Sequence, residues 1–209
     1  MQDQPAPPPR KRAVRSSGPR GEHDRDGFVA LVASAAESLV RHEGFRALGM
    51  RRLASTIGYA PNSIYNAVGD LDQVVLRVNA RTLERLHGAL EAVIDPRRPP
   101  RDNALALADA YLVFVAADPR VWSLLFEHLA APDQPFPDWY AAALARPVGR
   151  VDAVLAPLIA EPAERRRAVA ALWAALHGLA SLSTSGKLAV LTPDAPRELA
   201  RLLVGRFLG

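Results

Sequence analysis

Apolar residues recur at helical spacing along most of this chain. Between Asp26 and His42 they fall at Phe28, Leu31, Val32, Ala35, Ala36, Leu39 and Val40, the recurrence of a helix with one buried face. Gly44 ends that helix, and Phe45 and Leu48 turn back onto it. Met50 to Thr56 predicts a short second helix with Leu53, Ala54 and Ile57 facing inward; Ala54 is small enough to let two helices cross closely. Gly58 follows as a position suited to positive φ at a helix end. Pro61 opens a third helix, because proline has no N–H to satisfy in a first turn. Ala60 before it is a poor cap and costs this helix about 1 kcal/mol relative to serine. Ile64 and Val68 lie four apart as a buried pair, leaving Asn62, Ser63, Tyr65 and Asn66 on the other faces. Asp70 caps a fourth helix, with Gln73 placed to close a capping box. Its stripe through 71, 75, 78, 86, 90 and 93 reaches Ile94, roughly 25 residues and about 37 Å.

The run Asp95 to Pro100, DPRRPP, breaks the pattern and opens a second unit. Helices are predicted over Asp102–Ala117, stopped by Asp118-Pro119, and over Arg120–Ala131, which carries Trp122, Leu125, Phe126 and Leu129. After a proline-rich turn, Trp139–Leu158 forms a helix with Pro147 inside it. Arg165–Thr184 is nearly all small or apolar, which places it centrally in a helix pack. Thr192-Pro193 is expected to cap a last helix with Leu199, Leu202, Leu203 and Phe207 inward. The fold class is therefore all-α.

Composition narrows the chemistry. Apolar residues make up 49% of the chain but aromatics only 6%, so Ala and Leu carry the packing and favour helix. The absence of cysteine excludes disulfides, thiol catalysis and thiolate zinc sites. The longest apolar run, Ala168 to Leu182, contains His177 and follows three arginines; it reads as a buried helix, not a membrane span. The N-terminus has no apolar core after its basic residues and does not read as a secretory signal. A cytoplasmic protein without a membrane partner is expected. Histidines 23, 42, 87, 128 and 177 share no metal-ligand spacing, and no Ser-His-Asp grouping is readable. No enzyme, cofactor or metal site is therefore predicted.

Charge is unevenly placed. Residues 1–81 hold 12 Lys/Arg against 8 Asp/Glu while residues 82–209 hold 14 of each, so the whole excess of +4 lies in the first part, where an anionic partner would bind. Residues 1–23 are Pro, Gly, Ser and Arg with almost nothing to bury, and disorder is expected. That stretch is either a solubilising tail or a basic arm, Arg10, Lys11, Arg12 and Arg15, lying along phosphates or in a minor groove. Met50–Val68 has the make-up of a helix-turn-helix, whose second helix would enter the major groove of double-stranded DNA. The candidate DNA-binding residues are Arg51, Ala60, Pro61, Asn62, Ser63, Tyr65 and Asn66. Asn62 and Ser63 would touch base edges, and Tyr65 the sugar-phosphate backbone or a thymine methyl; otherwise these are ordinary polar surface.

Leu53, Ala54, Gly58, Tyr59, Ser63, Ile64, Tyr65, Val68 and Val74 make residues 26–80 resemble the TetR family of transcriptional repressors. Farther on, Leu172-Trp173, Leu176-His177-Gly178-Leu179 and Gly186-Lys187-Leu188 resemble the ligand-binding domain of a subset of that family, named for its Trp-His-Gly signature. The resemblance implies a homodimer whose last two long helices pair across a four-helix interface. It also implies a body cavity for a small effector that releases the operator. On this basis residues 24–70 are the DNA-binding domain, 71–94 a connecting helix and 95–209 the ligand-binding and dimerisation domain. The chain departs from the family at Gly49, Ala60, Ala67-Val68 and Leu71, where serine or threonine, a capping serine, a His/Tyr-Phe pair and a lysine are usual. Losing that lysine removes about one ion's worth of salt-dependent affinity, which the basic arm makes up or which leaves a weak operator complex. The alternative is a helical protein with a ligand-independent or weakened head, acting through protein contacts.

For the pocket, Tyr111, Phe114, Trp122, Phe126, Trp139, Trp173 and His177 are the lining candidates, bulky residues from different helices; equally, half or more of the aromatics fill a core. His177 is either a buried, hydrogen-bonded histidine at a packing or dimer seam or a pocket ligand. Asp109, His128 and His177 are the polar handles. Few charges interrupt these helices, which favours an apolar or amphipathic effector over an anion. Dimerisation is expected through Leu172, Leu176, Leu179, Leu199 and Leu203, with Ala171, Ala174, Ala175, Gly178 and Ala180 permitting close helix approach.

Overall fold

A computed structural model describes residues 22–127 and 135–209. The basic arm and His128 therefore lie outside the described residues. Among the described residues the chain is helical throughout. Helix α1 spans Glu22–Glu43 and ends where Gly44 takes φ 84°. A 3-10 turn at Phe45–Ala47 leads to α2, Met50–Ile57, and α3, Pro61–Ala67. Gly58 between them sits at φ 72°, and the Tyr59 N–H reaches back to the Ala54 carbonyl at 2.9 Å. This left-handed closure costs glycine nothing and would strain any other residue.

Helix α4, Leu71–Glu91, starts as expected from Asp70, whose carboxylate accepts the Gln73 N–H at 2.9 Å. It stops three residues before Ile94. Asn103, 6% exposed, holds the chain that follows: its Nδ2 donates to the Asp95 carbonyl at 2.9 Å and its Oδ1 accepts the Asp95 N–H at 3.1 Å. Then come α5, Pro100–Ala117, α6, Pro119–Glu127, α7, Asp138–Leu155, α8, Pro162–Thr184, and α9, Pro196–Phe207. Pro147 is accommodated inside α7.

The two cores share a wall. The head core is built from Val32, Val40, Leu53, Ile64, Val74, Val75 and Val78, all fully buried, together with Val121 and Leu124 of α6. On the other side of α6, Trp122 joins the body core of Leu86, Leu90, Leu107, Tyr111, Leu155, Leu172 and Val204.

Two sequence expectations need correction. Helix α8 is not central: Ala168, Val169, Leu172 and Ala180 are buried, but Ala170, Ala171, Ala174, Ala175 and Ser181 are exposed. Small residues pack equally well inside a protomer or against another one, so composition alone does not place them. Helix α9 begins at Pro196, after a turn in which the Thr192 hydroxyl donates to Asp194 at 2.7 Å. The Glu198 carboxylate accepts the Ala195 N–H at 3.2 Å, covering the helix start. The inward residues of α9 are Ala200 and Val204, whereas Leu202 is 58% and Phe207 43% exposed. No helix among the described residues is long and apolar enough to cross a membrane.

Candidate nucleic-acid interface and effector groove

Helix α3 is held from beneath by Ile64, fully buried, and Val68, 7% exposed. With that side fixed, Asn62, Tyr65 and Asn66 are exposed and Pro61 and Ser63 half-buried. Nothing in the described chain covers the polar side. Ala60 offers no side-chain cap; its carbonyl accepts the Ser63 N–H at 3.0 Å, and Pro61 at the first position removes one unmet donor. Arg51 is exposed without an ion-pair partner among the described residues, while Arg52 is engaged by Glu43 at 2.8 Å. Tyr59, outside the expected set, is 41% exposed just before α3 and packs on Phe28 with ring centroids 4.7 Å apart. Leu71 turns its side chain toward the head core with Ala67.

Head and body are tied by charge as well as by α6. Glu37 on α1 is 5% exposed and accepts hydrogen bonds from Arg41 at 2.6 Å and from Arg85 of α4 at 2.9 Å. Burial pushes its carboxyl up, yet the bonds from Arg85 and Arg41 outweigh burial and hold it below the ordinary value. Arg41 also donates to Asp118, at the α5–α6 junction, at 2.8 Å. Arg120 of α6 donates to the His42 carbonyl at 2.6 Å, satisfying an open acceptor at the end of α1. Nothing in the sequence reading singled out Glu37 or Arg120. The available signal was a lone acid inside the apolar stripe of α1, one turn before an arginine.

In the body, six of the seven pocket candidates converge. Trp122, 3% exposed, is the hub: Tyr111 lies 5.5 Å away, Phe126 5.7 Å, Phe114 5.9 Å and Trp173 6.2 Å between ring centroids. His177 stacks on Phe126 at 3.9 Å, and its Nδ1 is 3.2 Å from the Tyr111 hydroxyl and 3.4 Å from Trp122 Nε1. An indole N–H can only donate, so Nδ1 is the acceptor and the ring proton sits on Nε2. Burial lowers the His177 pKa, in keeping with a neutral ring, and raises that of Tyr111. Trp139 is the exception: it is 39% exposed on the outside, with the Arg77 guanidinium 5.1 Å from its ring. Asp109 also points elsewhere, held by Arg197 at 2.7 Å and Arg201 at 3.1 Å on α9.

Two spaces adjoin this cluster. A small, partly open cavity of about 40 Å³, walled by Tyr111, Leu172, Trp173, Leu176 and other apolar side chains, has room for a few waters and not for a drug-sized molecule. An open groove of about 630 Å³ runs between α4, α6, α7 and α8, lined by Leu83, Leu125, Phe126, Tyr140, Leu144 and Trp173 among others. Only the groove lies in the size range of small-molecule sites, about 300–1,000 Å³. Phe126 and Trp173 line it, Tyr111 and Trp173 line the cavity, and Trp122 and Phe114 are packing residues.

Of the expected dimer residues, Leu172 is 5% exposed and packs into the protomer's own core, with Leu176 and Leu179 lying against that core half-buried. Leu199 and Leu203 are half-buried on α9.

A family model described as the tetracyclin repressor-like C-terminal domain matches residues 104–207. An uncharacterized HTH-type transcriptional regulator of Mycobacterium tuberculosis is 27% identical over 184 residues, covering 88% of this chain and 81% of its own length. A protein of unknown function from Rhodococcus sp. RHA1 superposes with a TM-score of 0.71 at 21% identity, over 87% of this chain and 93% of that one. A TetR-like transcriptional regulator from the same organism gives a TM-score of 0.61 at 21% identity, over 90% and 97%.

Proposed function

From the TetR-family regulator fold that this chain has, we propose that it is a transcriptional repressor that binds palindromic operator DNA as a homodimer and lets go when a small apolar or amphipathic effector enters the body. The observation that carries this is α3: a short helix pinned by Ile64 and Val68, with Asn62, Tyr65 and Asn66 uncovered and a positive-φ glycine fixing its angle to α2. Uncovered short polar side chains on a buried footing are what base-edge contact requires.

Dimerisation is assigned to the small face of α8, exposed Ala171, Ala174 and Ala175 with half-buried Gly178, together with Leu199, Leu202 and Leu203 of α9. In a protomer alone that face leaves Leu202 58% exposed. Trp173, His177 and Gly178 support placing the body with the Trp-His-Gly subset. A ligand in the groove would touch Phe126 and Leu125 of α6, whose other side carries Val121 and Leu124 in the head core. That gives effector occupancy a route one helix thick to the reading heads, which need to sit about 34–36 Å apart.

The test is fluorescence anisotropy with duplexes tiled across the DNA adjoining the protein's own coding region. Wild type should bind one duplex specifically. Asn62→Ala and Tyr65→Ala should each lose specific binding, by about tenfold or more, while keeping the wild-type melting temperature. Unchanged affinity in both variants rejects these roles. The inward Leu71 and Ala67 favour the second reading, a weakened head acting through protein contacts, for which no duplex would bind above the nonspecific level.

A further inference from the structure

The effector groove has an apolar length and one charged end. Leu83, Phe126, Leu144 and Trp173 make its walls hydrophobic. Asp152 and Arg166 are its two charged lining residues. Asp152 is already neutralised by Arg165, whose Nε donates to it at 2.9 Å, and Arg165 further donates to the Ile159 carbonyl at 2.9 Å. Arg166, the next residue on α8, is exposed and has no ion-pair or hydrogen-bond partner among the described residues. With Asp152 held by Arg165, the Arg166 guanidinium is the one charge on the groove lining without a partner among the described residues, and the rest of the lining is apolar apart from Tyr140.

We propose that the ligand of this groove is an amphipathic monocarboxylate, its carboxylate paired with Arg166 and its acyl or aryl tail lying along Leu144 and Trp173 toward Phe126. A guanidinium offers two parallel N–H groups to one carboxylate, so the pairing is directional as well as electrostatic. A neutral alcohol of equal length would bury the same tail and leave Arg166 facing water. A dianion would carry a second charge for which the groove walls have no cation. The sequence favoured an apolar or amphipathic effector over an anion; the free guanidinium adds a single anionic head to the amphipathic choice.

The proposal rests on the effector reading of the groove, and calorimetry separates the two. Decanoate and decanol are titrated into the full-length protein without DNA, below their aggregation limits, for wild type, Arg166→Gln and Arg166→Lys. Wild type should prefer decanoate by about threefold, the scale of a solvent-exposed ion pair. Arg166→Gln should abolish the preference by weakening decanoate alone, and Arg166→Lys should keep most of it. Equal binding of acid and alcohol by wild type, or a preference that survives in Arg166→Gln, overturns the proposal. So does absence of heat with either ligand, the outcome if the groove is covered by a second copy or by the chain's own residues. DNA anisotropy on the same samples scores the regulator reading independently: decanoate binding without a DNA complex fails that reading and leaves this one standing.

Discussion

Replacing Glu37 by glutamine tests how the head is fastened. The carboxylate is 5% exposed and takes hydrogen bonds from Arg41 at 2.6 Å and Arg85 at 2.9 Å, with Arg81 at 3.6 Å adding charge but no bond. A hydrogen bond to a charged group contributes about 1.5–3 kcal/mol. The bonds from Arg41 and Arg85 together would be worth more, but the three arginine side chains are 41–43% exposed and regain water when the acid is lost, which offsets part of the cost. Glutamine also keeps an acceptor oxygen. The expected loss is about 2 kcal/mol, or about 4–8 °C in melting temperature for a chain of this size. Because the folded carboxyl lies below its ordinary 4.5, its stabilisation is fully present above 4.5 and is lost as pH falls through the lowered value. Glu37→Gln should flatten the acid limb of the stability curve correspondingly. Urea melts of both proteins at neutral pH and at several points below 4.5 read both quantities. A loss under about 0.5 kcal/mol, or acid limbs of equal slope, would show that the arginines are held by something other than this acid.

Three further outcomes follow from other parts of the molecule. His177 has its pKa lowered from 6.5 by burial, so its contribution is complete above 6.5 and declines as pH falls below that; His177→Gln should remove this slope in thermal melts, and an unchanged slope would assign it to another group. Ala54, 1% exposed where α2 meets its neighbours, should not accept Leu: Ala54→Leu is expected to cost about 1–3 kcal/mol, and a wild-type melting temperature would contradict the tight crossing. Ala174 is exposed in the protomer, so Ala174→Arg should leave the helical circular-dichroism signal intact while shifting sedimentation to the monomer, as Leu203→Arg should; a dimer in both places the interface elsewhere.

Much of the head was legible because its signals are local. Gly44, Gly58, Pro61 and Asp70 mark helix ends by backbone rules that need no knowledge of distant residues, and each acts where it was expected. Ile64 and Val68 likewise declared their burial by spacing alone. The body was less readable. Trp139 and Trp173 look alike in sequence, yet one lies against Arg77 on the outside and the other lines the groove, since which side of a helix is inner depends on where other helices land. Thr192-Pro193 is where the sequence places the start of α9, yet the helix opens at Pro196, where Glu198 accepts the Ala195 N–H. Leu202 and Val204 are both aliphatic, so hydrophobicity could not tell the outward leucine on α9 from the buried valine that follows it. Arg165 and Arg166 were one charge run until Asp152 claimed the first.

The double allegiance of α6 also governs how the protein can be cut and recombined. Val121 and Leu124 complete the head's interior from a segment about 50 residues downstream of α3, so a fragment ending with α4 would leave that core without two of its buried side chains and be prone to stick to itself. Chimeras that transplant this head onto another body should therefore carry Pro119–Glu127 with it, or supply a foreign helix with two aliphatic side chains at the same pitch.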